Sequence, residues 1–187
     1  GGLLVEETCH WFDLARFVTG KEVTALQAVG TSDIHLDFDY EDIAFVQGRY
    51  HDGAVFQISH ALTGHDFSLL IQVHGTRGTA WCGLKEERYS SLDAGETTYL
   101  GVLSVAPTQN AVGNRSGPTD AEVTTWGDEA TEPWNIRDHT MRTVDALRSE
   151  RAFPAEYIDG LRSLEIALAA RRSLEANEPI QLGVSNR

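Results

Sequence analysis

Glu6, His10 and Asp13 follow one another at i, i+4 and i+7. In a helix that spacing places all three on one ridge, where a carboxylate can orient an imidazole and tune its basicity. A general acid or base working near neutral pH needs that arrangement. The same spacing equally describes a solvated helix face with an incidental Glu–His pair, because a match this short carries little information. Leu4, Trp11, Leu14 and Val18 fall on the other side of the segment and read as its packing face. The remaining histidines, His35, His51, His60, His65, His74 and His139, form no H-x-x-x-H or H-E-x-x-H pattern, so no metal site is expected.

The elements that must position these residues can be read from periodicity and turn chemistry. From Leu4 to Val18 apolar residues recur at helical spacing, and Thr19-Gly20 supplies a left-handed stop. Short runs rich in Val, Ile, Phe and Tyr follow and predict strands over Val23–Val29, Ile43–Tyr50, Ala54–Ala61, Ser68–His74, Thr79–Leu84 and Thr97–Leu103. His51-Asp52-Gly53 and Gly75-Thr76-Arg77-Gly78 read as tight turns, and the connections are too short for helical crossovers, so the pairing should be antiparallel. Ser104 to Glu132 is polar and reads as a long surface loop or a partly disordered excursion. A helix from Pro133 to Glu150 is then predicted, with Trp134 as packing anchor. A second helix follows Pro154 and stops at Asn177 and Pro179, and Pro179–Leu182 reads as a last short strand. Gly160, inside this last helix, suggests a close approach by a neighbour. The order predicts an α+β fold: a mostly antiparallel open-faced sheet with helices packed on one face. Adjacent apolar residues such as Phe45 and Val46 make both sheet faces partly apolar, which calls for a second copy or another domain as cover.

The chain has 187 residues, 15 of them basic and 28 acidic, for a formal charge of −13. Such a field repels phosphate backbones and anionic lipid, which argues against nucleic-acid and membrane-surface partners. No apolar stretch reaches the roughly 18 residues of a membrane span. Two cysteines, Cys9 and Cys82, make no disulfide framework, and a reducing, cytoplasmic setting is expected. The sequence opens on Gly1-Gly2 and runs straight into a helical pattern, as a piece cut from a longer protein would.

The segment Gly1-Gly2-Leu3-Leu4-Val5-Glu6-Glu7-Thr8-Cys9-His10-Trp11-Phe12-Asp13-Leu14 resembles the G-G-x-L-x-[D/E]-x-x-x-H-x-x-D-L segment of the Gfo/Idh/MocA oxidoreductases. Glu41-Asp42-Ile43-Ala44 with Tyr50-His51-Asp52-Gly53-Ala54, then Val73-His74-Gly75-Thr76-Arg77-Gly78-Thr79, and finally Asp159 through Ala170 continue the likeness in order and spacing. The resemblance implies a two-domain enzyme whose N-terminal Rossmann domain binds NAD or NADP. Residues 1–187 would then be its single C-terminal substrate-binding and oligomerisation domain. No G-x-G-x-x-G follows a strand, and the Glu-Lys-Pro motif that carries the family's usual lysine is absent, so no cofactor-binding residues and no bound cofactor are expected on this chain.

On the same resemblance His10 is the acid/base for a hydroxyl of a sugar, inositol or similar polyol, and the isolated fragment is inactive without its nucleotide-binding domain. Glu6 stands where many members carry Asp and is the orienting or substrate-contacting partner. Asp13, last residue of H-x-x-D, and His60, near the end of a strand, are the expected substrate contacts. Association as a homo-oligomer through the sheet face is implied as well. Two rival functions are a non-catalytic association module and a lyase or hydrolase on the same fold.

Overall fold

A computed structural model describes residues 2–34, 37, 39–62, 68–76, 78–88, 97–107, 122–126, 136–153 and 155–183. The chain divides into two compact units, Gly1–Gly64 with Thr143–Arg187, and His65–Arg142.

In the first unit the predicted opening helix is present but broken. Helix α1 covers Leu3–Glu6 and α2 covers Thr8–Thr19, with Glu7 between them. Gly2 begins α1 at φ 99°, where a side chain would meet Tyr40 Cβ at 3.0 Å. The Glu41 carboxylate accepts a hydrogen bond from the Leu4 N–H at 3.0 Å, satisfying one of the amides a helix start leaves open. Helix α2 ends as predicted, on Gly20 at φ 67°, whose N–H donates to the Arg16 carbonyl.

Strands β1 (Val23–Thr31), β2 (Ile43–Tyr50) and β3 (Val55–Ala61) pair antiparallel in sequence order, and β8 (Ile180–Gln181) closes the other side of β1. Helix α4 (Tyr157–Ala176) lies on this sheet with Ile166, Ala167, Ala169, Ala170 and Ser173 buried. Small residues on that face let the helix approach β1 closely. A side chain at Gly30 would fall 2.6 Å from the Ile43 carbonyl oxygen and 3.0 Å from Leu174 Cδ1. The core gathers Leu3, Leu4, Phe12, Val23, Leu26, Ala28, Ala44, Val46 and Tyr50 around this helix. On the opposite sheet face Val29, Phe45 and Val55 stay exposed, flanking a row in which Gln27 faces Gln47 and Gln47 faces Gln57.

Strand β8 is too short to complete the edge of β1. Thr24 accepts from the Leu182 N–H, so by the two-residue period Ala28 presents its N–H on the same side, beyond the end of β8. The Ser173 hydroxyl accepts that hydrogen bond at 3.0 Å and donates its own proton to the Glu178 carbonyl at 2.6 Å. One helix side chain thereby does what two further strand residues would have done.

The second unit holds a separate antiparallel sheet, β4 (Ser68–Gly75), β5 (Gly78–Arg88), β6 (Thr97–Pro107) and β7 (Glu122–Trp126), in that order. The predicted turn at Gly75 to Gly78 is the closing pair of the β4–β5 hairpin. Helix α3 covers Ile136–Arg148. Fold class and antiparallel pairing are as the sequence predicts, and among the described residues the strands are shared between two sheets of four.

Two expectations need correction. Ser104 to Glu132 is not all loop: β6 continues through Pro107, and Glu122-Val-Thr-Thr-Trp, rich in β-branched and aromatic residues, pairs with it as β7. The rest of that stretch, like Pro133 and Trp134, lies outside the described residues. Gly160 was expected to admit a close neighbour, yet a side chain there would meet nothing within 4 Å. It lies in the exposed first turn of α4, where glycine costs helix stability without compensation. Gly160→Ala should therefore stabilise the protein by about 0.5–1 kcal/mol. Thermal unfolding should show this as a midpoint raised by roughly 1–4 °C, and a lowered midpoint would show that the position needs its glycine.

Candidate functional site

The buried line of α2 is Thr8, Phe12 and Arg16, one residue per turn. This differs from the packing face expected from sequence. Val18 is half exposed and Trp11 and Leu14 are only partly covered, because the break at Glu7 and the Arg16 contacts set the helix's rotation.

Arg16 is 7% exposed and surrounded by acceptors. Its Nε and Nη2 donate to the two Glu22 carboxylate oxygens at 3.0 and 2.7 Å. Nη1 reaches Asp13 Oδ1 and the Asp159 carbonyl, both at 3.3 Å. Glu22 leads into β1 and Asp159 is in the first turn of α4, so a single guanidinium ties α2 to both. Asp13 is thus engaged with Arg16. Burial pushes its carboxyl above the usual value, against the pull of the Arg16 charge, while Asp159 adds to the rise and His10 opposes it.

Glu6 and His10 are both exposed and lie on either side of the helix break, Glu6 ending α1 and His10 in the first turn of α2. His10 sits two residues after Thr8, about 200° round the helix from it. That rotation turns His10 away from the buried line and toward water.

His60 is elsewhere. It pairs with Ala44 across β3 and β2, on the sheet face that carries the core, and so it faces the helices. Its Nδ1 lies 2.9 Å from Thr8 Oγ1, and the Trp11 ring meets it edge to face with centroids 6.4 Å apart. The structure therefore joins His60 to Thr8 and Trp11 of α2, while His10 occupies another face of the same helix. Thr8 was not singled out in the sequence, because a contact spanning 52 residues leaves no local signal. Burial holds His60 below the ordinary histidine value of 6.5, with the Glu7 charge opposing.

A dinucleotide pyrophosphate needs a glycine turn between a parallel strand and a helix N-terminus. Among the described residues every strand pairing is antiparallel, and the sequence has no such turn, so these residues do not fit the nucleotide. Among the described residues no group of three or more His, Cys, Asp or Glu is placed to hold a metal ion, and no helix is long and apolar enough to cross a membrane. His35 and His65 lie outside the described residues.

The segment that carries Glu6, His10, Asp13 and strands β1 to β3 matches a known domain model, the GFO/IDH/MocA C-terminal domain, across residues 1–81. Relatives extend the likeness to nearly the whole length of the chain. An uncharacterized oxidoreductase, YrbE, of Bacillus subtilis (strain 168) is 24% identical over 188 residues, which cover 97% of this chain and 48% of that protein. The WlbA dehydrogenase of Bordetella pertussis, solved with NADH and UDP-GlcNAcA, superimposes with a TM-score of 0.66 at 18% identity, covering 99% of this chain and 46% of that one. The aldose-aldose oxidoreductase of Caulobacter crescentus, solved with glycerol, gives a TM-score of 0.61 at 20% identity, covering 97% and 48%. At these identities the structural likeness establishes the fold, and the chain spans about half the length of these relatives.

The depressed His60 value fixes a sign. A histidine held neutral in the folded state contributes its stability in full above its unfolded value of 6.5 and loses it as the pH falls from there through the lower folded value. Urea unfolding at stepped pH should show wild-type stability falling on acidification relative to His60→Asn. Parallel pH profiles for the two proteins would refute a His60 whose titration is pushed down by partial burial.

Proposed function

We propose that this chain is the substrate-binding and association half of an NAD(P)-dependent oxidoreductase acting on a hydroxyl of a sugar, inositol or similar polyol. The observation that carries the reading is that the family match falls on the segment presenting His10 at an exposed face of α2, with Asp13 one turn further on. Supporting it, relatives of the same fold include a dehydrogenase solved with NADH and UDP-GlcNAcA and an aldose-aldose oxidoreductase solved with glycerol.

In this reading a Rossmann domain outside the chain holds the nucleotide, which supplies the hydride acceptor, and the chain alone is inactive. His10 takes the proton of the substrate hydroxyl, for which a water-facing imidazole that can exchange protons with solvent is suited. Glu6, across the helix break, orients His10 or bonds a neighbouring hydroxyl. Of the two further substrate contacts, the reading ranks His60 ahead of Asp13, whose carboxylate is shared with Arg16. The working compartment is reducing and cytoplasmic, in keeping with the unpaired Cys9 and Cys82.

In the intact protein, His10→Ala should lower turnover by about 10²–10⁴-fold, the usual worth of a general acid or base. Its exposed position leaves folding unchanged. Turnover within a few-fold of wild type would sink the assignment.

A non-catalytic association module is the second reading, favoured by the outer face of the first sheet, where Val29 (51%), Phe45 (44%) and Val55 (70%) remain exposed. Both readings place a second copy of the chain on that face. Sedimentation velocity at micromolar concentration should show a dimer or larger species for wild type and a monomer for Phe45→Glu. A wild-type monomer would contradict the association.

A further inference from the structure

Thr8 is fully buried, and its Oγ1 lies 3.1 Å from the Leu3 carbonyl oxygen and 2.9 Å from His60 Nδ1. A threonine hydroxyl has one proton and can donate only once. If it donates to His60 Nδ1, two oxygen lone pairs face each other across the 3.1 Å to Leu3 with no proton between them. If instead it donates to the Leu3 carbonyl, its oxygen accepts from a protonated Nδ1, and both short contacts become hydrogen bonds. The Leu3 carbonyl also accepts from the Glu7 N–H at 3.1 Å, a load its two lone pairs can carry.

We infer that Thr8 is a positioning residue that fixes His60 as the Nδ1–H tautomer, leaving Nε2 as an acceptor for the hydroxyl of a polyol-type ligand. The neighbouring fold supports a fixed ring. Trp11, one turn after Thr8 on α2, packs its edge against the imidazole, and Ala44 leaves room for the ring from the next strand. His60 lies on β3, the outer strand of its sheet, and is only partly buried, so it stands at an edge and not at the centre of the core. In the neutral ring the nitrogen that the neighbour leaves over decides what a ligand meets. With Nδ1 protonated, a ligand hydroxyl meets a lone pair, and a carbonyl oxygen in the same place meets no donor. The assignment of the tautomer stands independently of the oxidoreductase reading, while its use toward a ligand hydroxyl rests on it.

The test is long-range ¹H–¹⁵N correlation on the ¹⁵N-histidine-labelled chain at mildly alkaline pH, with the His60 signals identified by their loss in His60→Asn. Wild type should show Nδ1 protonated and Nε2 bare, and a wild-type ring protonated on Nε2 overturns the inference. Thr8→Val keeps the shape and removes the hydroxyl, and should move the ring to Nε2–H, whereas Thr8→Ser should restore the wild-type pattern. A ring in Thr8→Val that keeps the Nδ1 proton would show that Thr8 does not set it. In the intact enzyme Thr8→Val should raise KM for the polyol about tenfold with kcat within a few-fold, and Thr8→Ser should bring KM back. An unchanged KM overturns the ligand role and leaves the tautomer standing. An intact protein that oxidises no polyol at all overturns the oxidoreductase reading, and with it the ligand role alone.

Discussion

The buried charge of Arg16 is the constraint on which the site's geometry depends. Removing a guanidinium from water costs several kcal/mol unless its donors are met, and here they are met by groups from three places: Asp13 on α2 itself, Glu22 ahead of β1, and Asp159 in the first turn of α4. A planar fork satisfied by both oxygens of one carboxylate has few alternative geometries. Once Glu22 is engaged, the rotation of α2 about its axis is fixed, and Thr8 and Phe12, on the same line of the helix, are turned inward with it. The position of Arg16 in the last turn of α2 also suits the negative end of the helix. Stability is a secondary matter for such a pair, since a well-packed apolar group of similar size often does as well. Its contribution here is to choose one register of helix against sheet.

A second constraint sets the distance between helix and strands. Ala167, Ala169, Ala170 and Ser173 give α4 a shallow face, and Gly30 gives β1 a hollow opposite Leu174. At such close range the unpaired Ala28 N–H comes within reach of Ser173, which a longer side chain in the same place would have pushed away. Gly48 makes a similar hollow for the Phe56 ring, drawing β3 against β2. These small residues carry the strand bearing His60 to within hydrogen-bonding distance of α2. The core that they form is tight on one face of the first sheet and ends there, which is why Phe45 and Val55 on the other face remain in water.

Local signals were legible and tertiary ones were not. Ile43–Tyr50 has the same ends in the sequence and in the structure, because Asp42 before it and His51-Asp52-Gly53 after it are turn residues around an apolar run. The stop at Gly20 and the left-handed cap at Asn177, with φ 54°, follow from residue type alone. The break at Glu7 had no such mark, since glutamate is a good helix former and the interruption comes from the way α1 and α2 pack. Strand β7 was concealed by the polar composition around it. Arg16 was in plain view as a charge four residues after Phe12, yet a lone arginine on a helix reads as solvated until the acids that bury it are known to converge. Of the ridge, the spacing of Glu6, His10 and Asp13 was visible, but not that Asp13 would be engaged with Arg16, nor that Glu6 would lie beyond a helix break.

Helix α2 thus separates two imidazoles by rotation and gives them different surroundings. His10 faces water, with Asp13 one turn away on the same helix. His60 meets the buried Thr8 hydroxyl and the edge of Trp11, and burial holds its pKa below the ordinary histidine value. The Arg16 fork fixes the rotation that keeps the two apart, and so an ion pair at the end of α2 decides which surroundings each imidazole meets near its beginning.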